Sequence, residues 1–266
     1  MKLLMCPPDF YGIEYEINPW MDVQVNADRK KAEQQWKGLH KILTKEMGIE
    51  VELMKPIEGV PDLVFTANGG FIWNQTVVLA NFRFAQRKKE ESFFQKKFKA
   101  LGLSVSVMPD DMLFEGEGDL LLSGKTLFAG YRFRSDISSH ARIGELLDVP
   151  VLSLELTDPR FYHLDTCFFP LSGGEVVYYP DAFDGYARKV IESHFPKEKL
   201  IVVAKEEALV FACNGVEVKR KVVINAGCSN LRKELEKWEY TVYETDLSEF
   251  IKAGGSAKCL TLWLER

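Results

Sequence analysis

A cysteine near the end of the sequence has the surroundings expected of a nucleophile. The small residues at 254–257, Gly-Gly-Ser-Ala, let a backbone bend tightly and leave open space around Cys259. Leu260, Leu262 and Leu264 then alternate as one buried face of a strand would. This pattern predicts a thiol presented at the mouth of a strand.

A nucleophilic thiol needs a base or a cation nearby and a carboxylate that orients that base. His163 and Asp165 are two positions apart, so on a strand they would point to the same side, where the carboxylate would fix the imidazole tautomer. A solitary histidine or free cysteine in an apolar run is more often a packing residue. The occurrence of His163, Asp165 and Cys259 together favours the catalytic interpretation.

An acidic segment at residues 115–119, Glu-Gly-Glu-Gly-Asp, places three carboxylates within five residues. One interpretation is a solvated acidic turn, because like charges this close are costly to bury. The other is a site in which Glu115 binds a cation or acts as a general acid or base. No regularly spaced set of ligands accompanies the segment, so the sequence predicts no metal site, and an organic cation fits at least as well.

A polar segment at residues 62–70 offers further binding groups. If it is a strand, Asp62, Val64, Thr66 and Asn68 share one face and Phe65 lies on the other, unless a bulge turns it. The alternative is a simple turn, which Asn-Gly-Gly usually indicates.

Two arginines follow the predicted hairpins of consecutive repeats. A guanidinium at Arg87 or Arg134 could bind a substrate carboxylate through two parallel hydrogen bonds. The alternative for each is an ordinary surface arginine.

An internal repeat predicts how these side chains are positioned. An apolar strand, a polar residue with glycine nearby, a hairpin turn and a second strand recur five times, and the marker positions are spaced by 46 to 51 residues. Equivalent positions converge at one end of the axis in a radial arrangement, so we expect the markers to meet there. The markers are Asn68, Asp119, Asp165, Cys213 and Cys259.

Helices are predicted between the repeated strands, at residues 28–47, 85–101, 138–147, 182–195 and 229–238. Hairpin turns are predicted at Ser123-Gly124-Lys125, at Ser172-Gly173-Gly174 and at Asn214-Gly215. The last strand lacks a partner, which residues 3–6 could supply and so close the ring. We therefore expect an α/β fold, a five-bladed propeller of five ββαβ units, forming a single domain over residues 1–266.

Composition limits the class of partner. The net charge of −5 and the pI near 5.6 give no basic surface for nucleic acid or an anionic membrane. No run of apolar residues is long enough to span a bilayer, and the first residues are too short an apolar run for a signal peptide, so a cytoplasmic location is expected. Five cysteines without C-x-x-C spacing argue against a disulfide framework and a zinc site.

Taken in this order, the motifs resemble the guanidine-modifying (pentein) superfamily of five-bladed α/β propellers, which includes arginine deiminase, dimethylarginine dimethylaminohydrolase, arginine dihydrolase and the amidinotransferases. The resemblance covers the whole chain. The segments that carry it are Asp62…Phe65…Asn68, residues 81–87, residues 115–119, residues 130–135, His163-Leu164-Asp165 and residues 255–259.

The resemblance implies that Cys259 is the nucleophile and His163 the general acid and base, with Glu115 and Asp165 holding the guanidinium and the imidazole. It also implies that Arg87 and Arg134 bind the amino-acid carboxylate. Asp62 and Phe65 match substrate-pocket positions of the dimethylarginine hydrolases. No cofactor is implied, and the expected partner is a small molecule, arginine or a derivative.

One departure concerns Asn68, where deiminases and dimethylarginine hydrolases generally have aspartate. The Asn-Gly-Gly that it opens resembles the arginine dihydrolases, as does the segment around Asn18 at residues 17–21. A carboxamide can donate to the neutral ureido oxygen of citrulline, which a carboxylate would repel. The sequence therefore favours a two-step arginine dihydrolase.

Other functions remain open at this stage. They are a one-step deiminase or dimethylaminohydrolase that releases citrulline, an amidinotransferase, and a non-catalytic propeller that binds another macromolecule. Retention of Cys259, His163, Glu115 and both arginines argues against the last. The sequence does not fix the substituents of the guanidine or the oligomeric state, a homo-oligomer included.

Overall fold

The computed structural model describes residues 1–266 and contains five separate sheets of three strands. In every sheet the middle strand pairs antiparallel with one neighbour and parallel with the other. A helix connects the two parallel strands, as a parallel connection requires. The predicted ββαβ unit, repeated five times, is therefore confirmed.

The units are numbered by the order in which their antiparallel strand pairs occur along the chain. The first contains β3 Gly70–Trp73, β4 Thr76–Leu79, α2 Ala85–Ala100 and β5 Ser104–Ser106; the second contains β6 Leu120–Ser123, β7 Thr126–Tyr131, α3 Ile137–Leu147 and β8 Val151–Glu155. The third contains β9 Phe168–Pro170, β10 Val176–Tyr178, α4 Gly185–His194 and β11 Leu200–Val202; the fourth contains β12 Val216–Val218, β13 Lys221–Asn225, α6 Ser229–Lys237 and β14 Thr241–Thr245. The fifth contains β15 Leu262–Glu265, β1 Lys2–Met5, α1 Arg29–Lys41 and β2 Glu50–Leu53; the short helices α5 Lys205–Ala208 and α7 Ser248–Ile251 lie outside this scheme.

The fifth unit joins the two ends of the chain. Strand β15 pairs antiparallel with β1, with Leu3 opposite Trp263 and Leu4 opposite Leu262. The expectation that residues 3–6 supply the missing partner of the last strand is confirmed. This pairing completes a fifth three-stranded sheet of the same form as the other four.

The five predicted helices all form, with bounds that shift by a few residues. Helix α1 begins after Asp28, whose side chain accepts a hydrogen bond from the backbone N–H of Lys31. It continues as one π-helical turn, Ile42–Glu46, and the chain leaves it at Gly48 with a φ of 73°. Helix α4 is shorter than predicted because Pro180–Ala182 forms a separate 3₁₀ turn before it. None of the helices has both the length and the apolar character needed to cross a membrane.

Two expected strands are wrong. Residues 61–64 and 66–69 form two consecutive 3₁₀ turns, so Asp62 and Asn68 do not share a strand face with Val64 and Thr66. His163 has extended backbone but is followed at once by the 3₁₀ turn Leu164–Thr166, which contains Asp165. The two side chains therefore do not alternate along one strand.

One predicted hairpin turn is also wrong. Asn214-Gly215 precedes β12 rather than linking two strands, and the turn of the fourth unit is Lys219-Arg220, where φ is 49° and 63°. The turns predicted around Gly124 and Gly173 do link their strands, β6 to β7 and β9 to β10.

The marker positions converge, as expected. The 3₁₀ turn of the acidic segment 116–118 contacts both the turn that contains Asn68 and the turn that contains Asp165. Cys259 joins them through its backbone oxygen, which accepts a hydrogen bond from Ala67 N at 3.2 Å. One place in the fold thus collects the segments that precede the hairpins.

Candidate active site

A small cavity lies where the turns converge, and all six residues predicted to bind substrate line it. Asn18, Asp62, Phe65, Asn68, Arg87, Arg134 and Cys259 contribute to its wall, together with Ile17, Met21, Tyr162, Ala253 and Gly255. His163, Glu115 and Asp165 are buried beside these residues. The ten residues singled out in the sequence are therefore brought together.

Both oxygens of the Glu115 carboxylate have hydrogen-bond partners. Its Oε2 accepts from Arg134 Nη1 at 3.0 Å and contacts His163 Nε2 at 2.8 Å, and its Oε1 accepts from Arg83 N at 3.2 Å. Burial opposes ionisation of Glu115, but the Arg134 guanidinium and the His163 ring hold its pKa well below the usual range. The spacing in the sequence had suggested that Asp165 contacts the imidazole. The carboxylate that does so is Glu115.

Asp165 contacts the predicted nucleophile instead. Its Oδ2 lies 3.4 Å from Cys259 Sγ. Burial raises the pKa of Asp165 to about 7, against the opposing effect of the nearby Lys258 ammonium. Because a 3₁₀ turn follows His163, the two carboxylates face different partners, His163 for one and Cys259 for the other.

The Cys259 thiol is buried, and its environment contains groups of both signs. Burial and the Asp165 carboxylate raise the pKa of the thiol well above its usual range, whereas Asn214 and Lys258 act in the opposite direction. Gly255 allows the Phe65 ring to pack against the backbone at the same place, since a Cβ there would lie 2.4 Å from the ring. The thiol consequently faces a cavity walled by an aromatic ring rather than open solvent.

Arg87 and Arg134 are fully buried, so the interpretation of either as a surface arginine is wrong. Arg87 donates from Nε and Nη2 to the Glu90 carboxylate at 2.8 and 2.7 Å, and from Nη1 to Asn68 Oδ1 at 2.7 Å. Arg134 donates to Glu115 and to Ile17 O, the latter at 3.1 Å. Binding of a substrate carboxylate by these side chains remains a prediction, and it requires the guanidinium groups to share their present partners.

Asn18 belongs to the segment 17–21, which contributes three residues to the cavity wall. Its Oδ1 accepts from Trp20 N at 2.9 Å and its Nδ2 donates to Ala253 O at 3.1 Å. Tyr162 also lines the cavity, with its hydroxyl donating to Gly254 O at 2.7 Å and its ring centre 4.5 Å from the Arg134 guanidinium carbon. The segment 17–21 is thereby tied to both the arginine and the loop before Cys259.

Four buried polar atoms at this site have no hydrogen-bond partner. They are Asp62 Oδ1, Asn68 Nδ2, Asp165 Oδ1 and Ser256 Oγ. Buried polar groups are normally paired, and an unpaired one costs about 1–3 kcal/mol. Two carboxylate oxygens are thus free to accept hydrogen bonds, and one amide nitrogen is free to donate one. A small polar ligand that carries N–H groups and an oxygen needs this arrangement.

Sequence reasoning missed several residues of the site, of which Asn214 is the most closely connected. Its side chain contacts Cys259 Sγ, Asp165 O and two backbone N–H groups. The signal was its position directly after the marker Cys213, but the Asn-Gly pair was interpreted as a hairpin turn. Tyr162, which is adjacent to His163 and lines the cavity, was another omission.

Comparisons with known proteins give the family and relatives of the chain. The model of the family described as N,N dimethylarginine dimethylhydrolase, eukaryotic, matches residues 15–265. The chain is 48% identical over 265 residues to the bifunctional arginine dihydrolase/ornithine cyclodeaminase ArgZ of Synechocystis sp., covering 98% of this chain and 37% of ArgZ. It is 41% identical over 261 residues to the N(G),N(G)-dimethylarginine dimethylaminohydrolase of Mycobacterium tuberculosis, covering 98% of this chain and 85% of that protein.

A solved structure shows the same fold. The N-terminal domain of an ArgZ variant, covalently bound to a reaction intermediate, superimposes with a TM-score of 0.96 at 46% identity, covering 100% of this chain and 98% of that one. The chain spans little more than a third of the length of the full ArgZ protein.

Proposed function

The chain belongs to the N,N-dimethylarginine dimethylhydrolase family, and on that premise we propose that it hydrolyses the guanidinium C–N bonds of arginine in two successive rounds. The products are ornithine, carbon dioxide and two ammonia molecules. The reaction passes through a covalent bond to Cys259 and uses His163 as the general acid and base. The relative ArgZ, named as an arginine dihydrolase, supports the choice of substrate.

The orientation of the Asn68 carboxamide carries this proposal. Arg87 offers only donors, and its Nη1 lies 2.7 Å from Asn68 Oδ1, so the oxygen must face the guanidinium. Nδ2 therefore points away from Arg87, where it is buried and has no partner. A Cβ built on Gly118 would lie 2.4 Å from Asn68 Nδ2 and 3.1 Å from the His163 ring, so the free donor is beside the general acid and base. A neutral ureido oxygen is the ligand atom that such a donor suits.

The first round forms and breaks one bond to sulfur. The Cys259 thiol gives its proton to Asp165, 3.4 Å away, and the thiolate attacks the guanidinium carbon. His163, held by Glu115 at 2.8 Å, protonates the departing amino group, which leaves as ammonia. Water then gives a proton to His163 and attacks the thiouronium carbon, and the C–S bond breaks to release citrulline.

The second round repeats the chemistry on the ureido group. Asn68 Nδ2 donates to the ureido oxygen, on which negative charge develops as the thiolate attacks. A second ammonia departs, and the S-carbamoyl bond is hydrolysed to a carbamic acid that loses carbon dioxide to give ornithine. An aspartate at position 68 would pair with Arg87 but could not donate to this oxygen when ionised.

A one-step dimethylaminohydrolase is the second candidate. The family model and the 41% identical mycobacterial relative favour it. In that case a methylated arginine enters the cavity and citrulline is the end product. The same residues would serve, with the departing group a dimethylamine in place of ammonia.

Product analysis separates the two candidates. We expect wild-type protein incubated with arginine to yield ornithine, and Asn68→Asp to retain the first hydrolysis and accumulate citrulline. Cys259→Ser should yield neither product, since serine lacks thiolate nucleophilicity. Chromatography of the three digests, with dimethylarginine run in parallel, is the measurement. Wild-type protein that produces only citrulline, or that reacts only with dimethylarginine, would replace the dihydrolase with the one-step enzyme.

A further inference from the structure

The side chain of Asn214 links every part of the chain that determines the position of Cys259. It lies in the turn before β12, and none of its surface is exposed to solvent. Its Oδ1 accepts from Lys258 N at 3.0 Å and from Cys259 N at 3.2 Å. Its Nδ2 donates to Asp165 O at 2.9 Å and to Cys259 Sγ at 3.2 Å. One carboxamide thus joins the fourth, third and fifth units around the sulfur.

These four contacts use the full capacity of a carboxamide, two accepted and two donated bonds. They also fix its orientation, because the two backbone N–H groups can only donate and must face the oxygen. An N–H of Nδ2 is therefore directed at Sγ. A thiolate accepts such a bond more strongly than a thiol does, so the contact favours the reactive form.

The local backbone is shaped to bring the amide to this place. Gly215 follows Asn214 where a Cβ would lie 2.6 Å from the Phe169 ring and 3.0 Å from Val223 O. Phe211, three residues earlier, has a φ of 62°, in the left-handed region, and its oxygen accepts from Asn214 N at 3.0 Å. A larger residue at 215 would displace the turn, so the position of the amide is built into the fourth unit.

From this arrangement we propose that Asn214 is a positioning residue that holds Cys259 for attack and stabilises its thiolate by a hydrogen bond. The inference rests on the proposed function only in taking Cys259 as the nucleophile. With Asn214, the fourth unit also contributes a side chain to the site, as each of the other four units does.

Several charged or titratable groups face the same sulfur and contribute to its acidity. Asp165 approaches from the third unit at 3.4 Å, and Lys258 precedes the cysteine, with its Nζ held by Glu117 Oε2 at 2.8 Å and by Thr261 O at 3.1 Å. The other titratable groups near the thiol are Asp62, Arg87, Arg134, Tyr162 and His163. Burial and Asp165 raise the thiol pKa, and Asn214 lowers it.

The test is the pH dependence of Cys259 alkylation by iodoacetamide, followed on the Cys259 peptide by mass spectrometry. Asn214→Asp keeps an oxygen for the two backbone N–H groups but removes the donor to sulfur. We expect the midpoint of its alkylation profile to rise by about one to two pH units relative to wild type, as for the loss of one charge-assisted hydrogen bond. Asn214→Ser, which is too short to reach the sulfur, should shift it in the same direction.

Thr261→Val is the matched control. Thr261 Oγ1 donates to Lys258 O at 3.0 Å, so its removal loosens the same turn without changing the donors to sulfur. Its profile should superimpose on that of wild type, even where its thermal midpoint falls. An unshifted profile in whichever Asn214 variant folds, or an equal shift in Thr261→Val, would overturn the inference. Alkylation needs no substrate, so a wild-type protein that leaves arginine unchanged would refute the proposed function and leave this result standing.

Discussion

Glu115, Glu117 and Asp119 are buried within one bend of the chain, and each carboxylate has different partners. Glu115 contacts Arg134 and His163, whereas Glu117 contacts Lys258 and Arg266. Asp119 makes no ion pair and accepts instead from Ser135 Oγ at 2.7 Å and Leu164 N at 3.1 Å. The interpretation of this segment as a solvated acidic turn is therefore wrong. The repulsion expected between these charges is offset because each has its own donors.

Asp119 should make the stability of the protein depend on pH. Burial raises its pKa from the usual 3.8 to about 6. Between these values the folded state holds more protons than the unfolded state, so folded stability falls as pH rises through this window. Asp119→Asn has no proton to lose, and the Ser135 hydroxyl can turn to accept from the new amide. The stability of wild type relative to this variant should fall by up to about 1.4 kcal/mol per pH unit in the window.

Urea unfolding of both proteins at about pH 4, 5, 6 and 7 measures this difference. The urea dependence of the unfolding free energy should be equal in the two proteins, which would show that only the titration has changed. A difference that is constant across the window, or that grows with pH, would mean that Asp119 is already ionised in the folded protein well below pH 6.

At the scale of the elements, the sequence predicted the helices well and the turns at the axis poorly. Helices such as α1 have one apolar face, formed by Ala32, Trp36 and Leu39, and so carry a clear period. The segment from Asp62 to Asn68 is buried throughout, so no alternation distinguishes a strand from two 3₁₀ turns. The sequence identified the predicted binding residues by their type, but it could not identify the faces on which they lie.

The turn of the fourth unit shows a different limit. Asn-Gly is the strongest short hairpin signal, yet the turn is formed by Lys219 and Arg220, both with positive φ. Tertiary contacts of Asn214 with Cys259 and Asp165 override the local preference. The left-handed backbone at two ordinary residues is consequently a local weakness of this hairpin.

Lys219→Asn should stabilise the protein, because asparagine tolerates the left-handed region better than lysine does. Lys219 is exposed and makes no side-chain hydrogen bond or ion pair, so no contact is lost. We expect an increase of about 0.5 kcal/mol in the free energy of unfolding by denaturant. Lys125→Asn is the control: it occupies the turn between β6 and β7, where only Gly124 has a positive φ, and should give no gain.

At the scale of the whole molecule, the repeat predicted both the five units and the closing of the ring. Spacing alone could not show which side chains meet across units. It placed Asp165 against His163, whereas the carboxylate that contacts His163 belongs to the second unit. Such pairings depend on the angle between neighbouring sheets, which no single repeat encodes.

We expect residues 1–266 to unfold as one domain in a single transition. No unit closes a core by itself: one large cluster of buried residues runs from Leu121 through Val177 to Ile224, and so spans the second, third and fourth units. The fifth sheet requires both β1 and β15. Far-ultraviolet circular dichroism and tryptophan fluorescence should therefore give coincident denaturation curves. Separate midpoints for the two probes would indicate two domains.

The distances along the chain between the neighbours of Cys259 have a consequence for refolding. The sulfur contacts Asn214 and Asp165, 45 and 94 residues away, and the preceding lysine contacts Glu117, 141 residues away. Contacts this remote form slowly, after the helices have formed. Until then Cys259 and the four other cysteines, all buried in the folded protein, remain exposed to oxidants. Recovery of native protein from denaturant should consequently depend on a thiol reductant, although the finished fold contains no disulfide for that reductant to break.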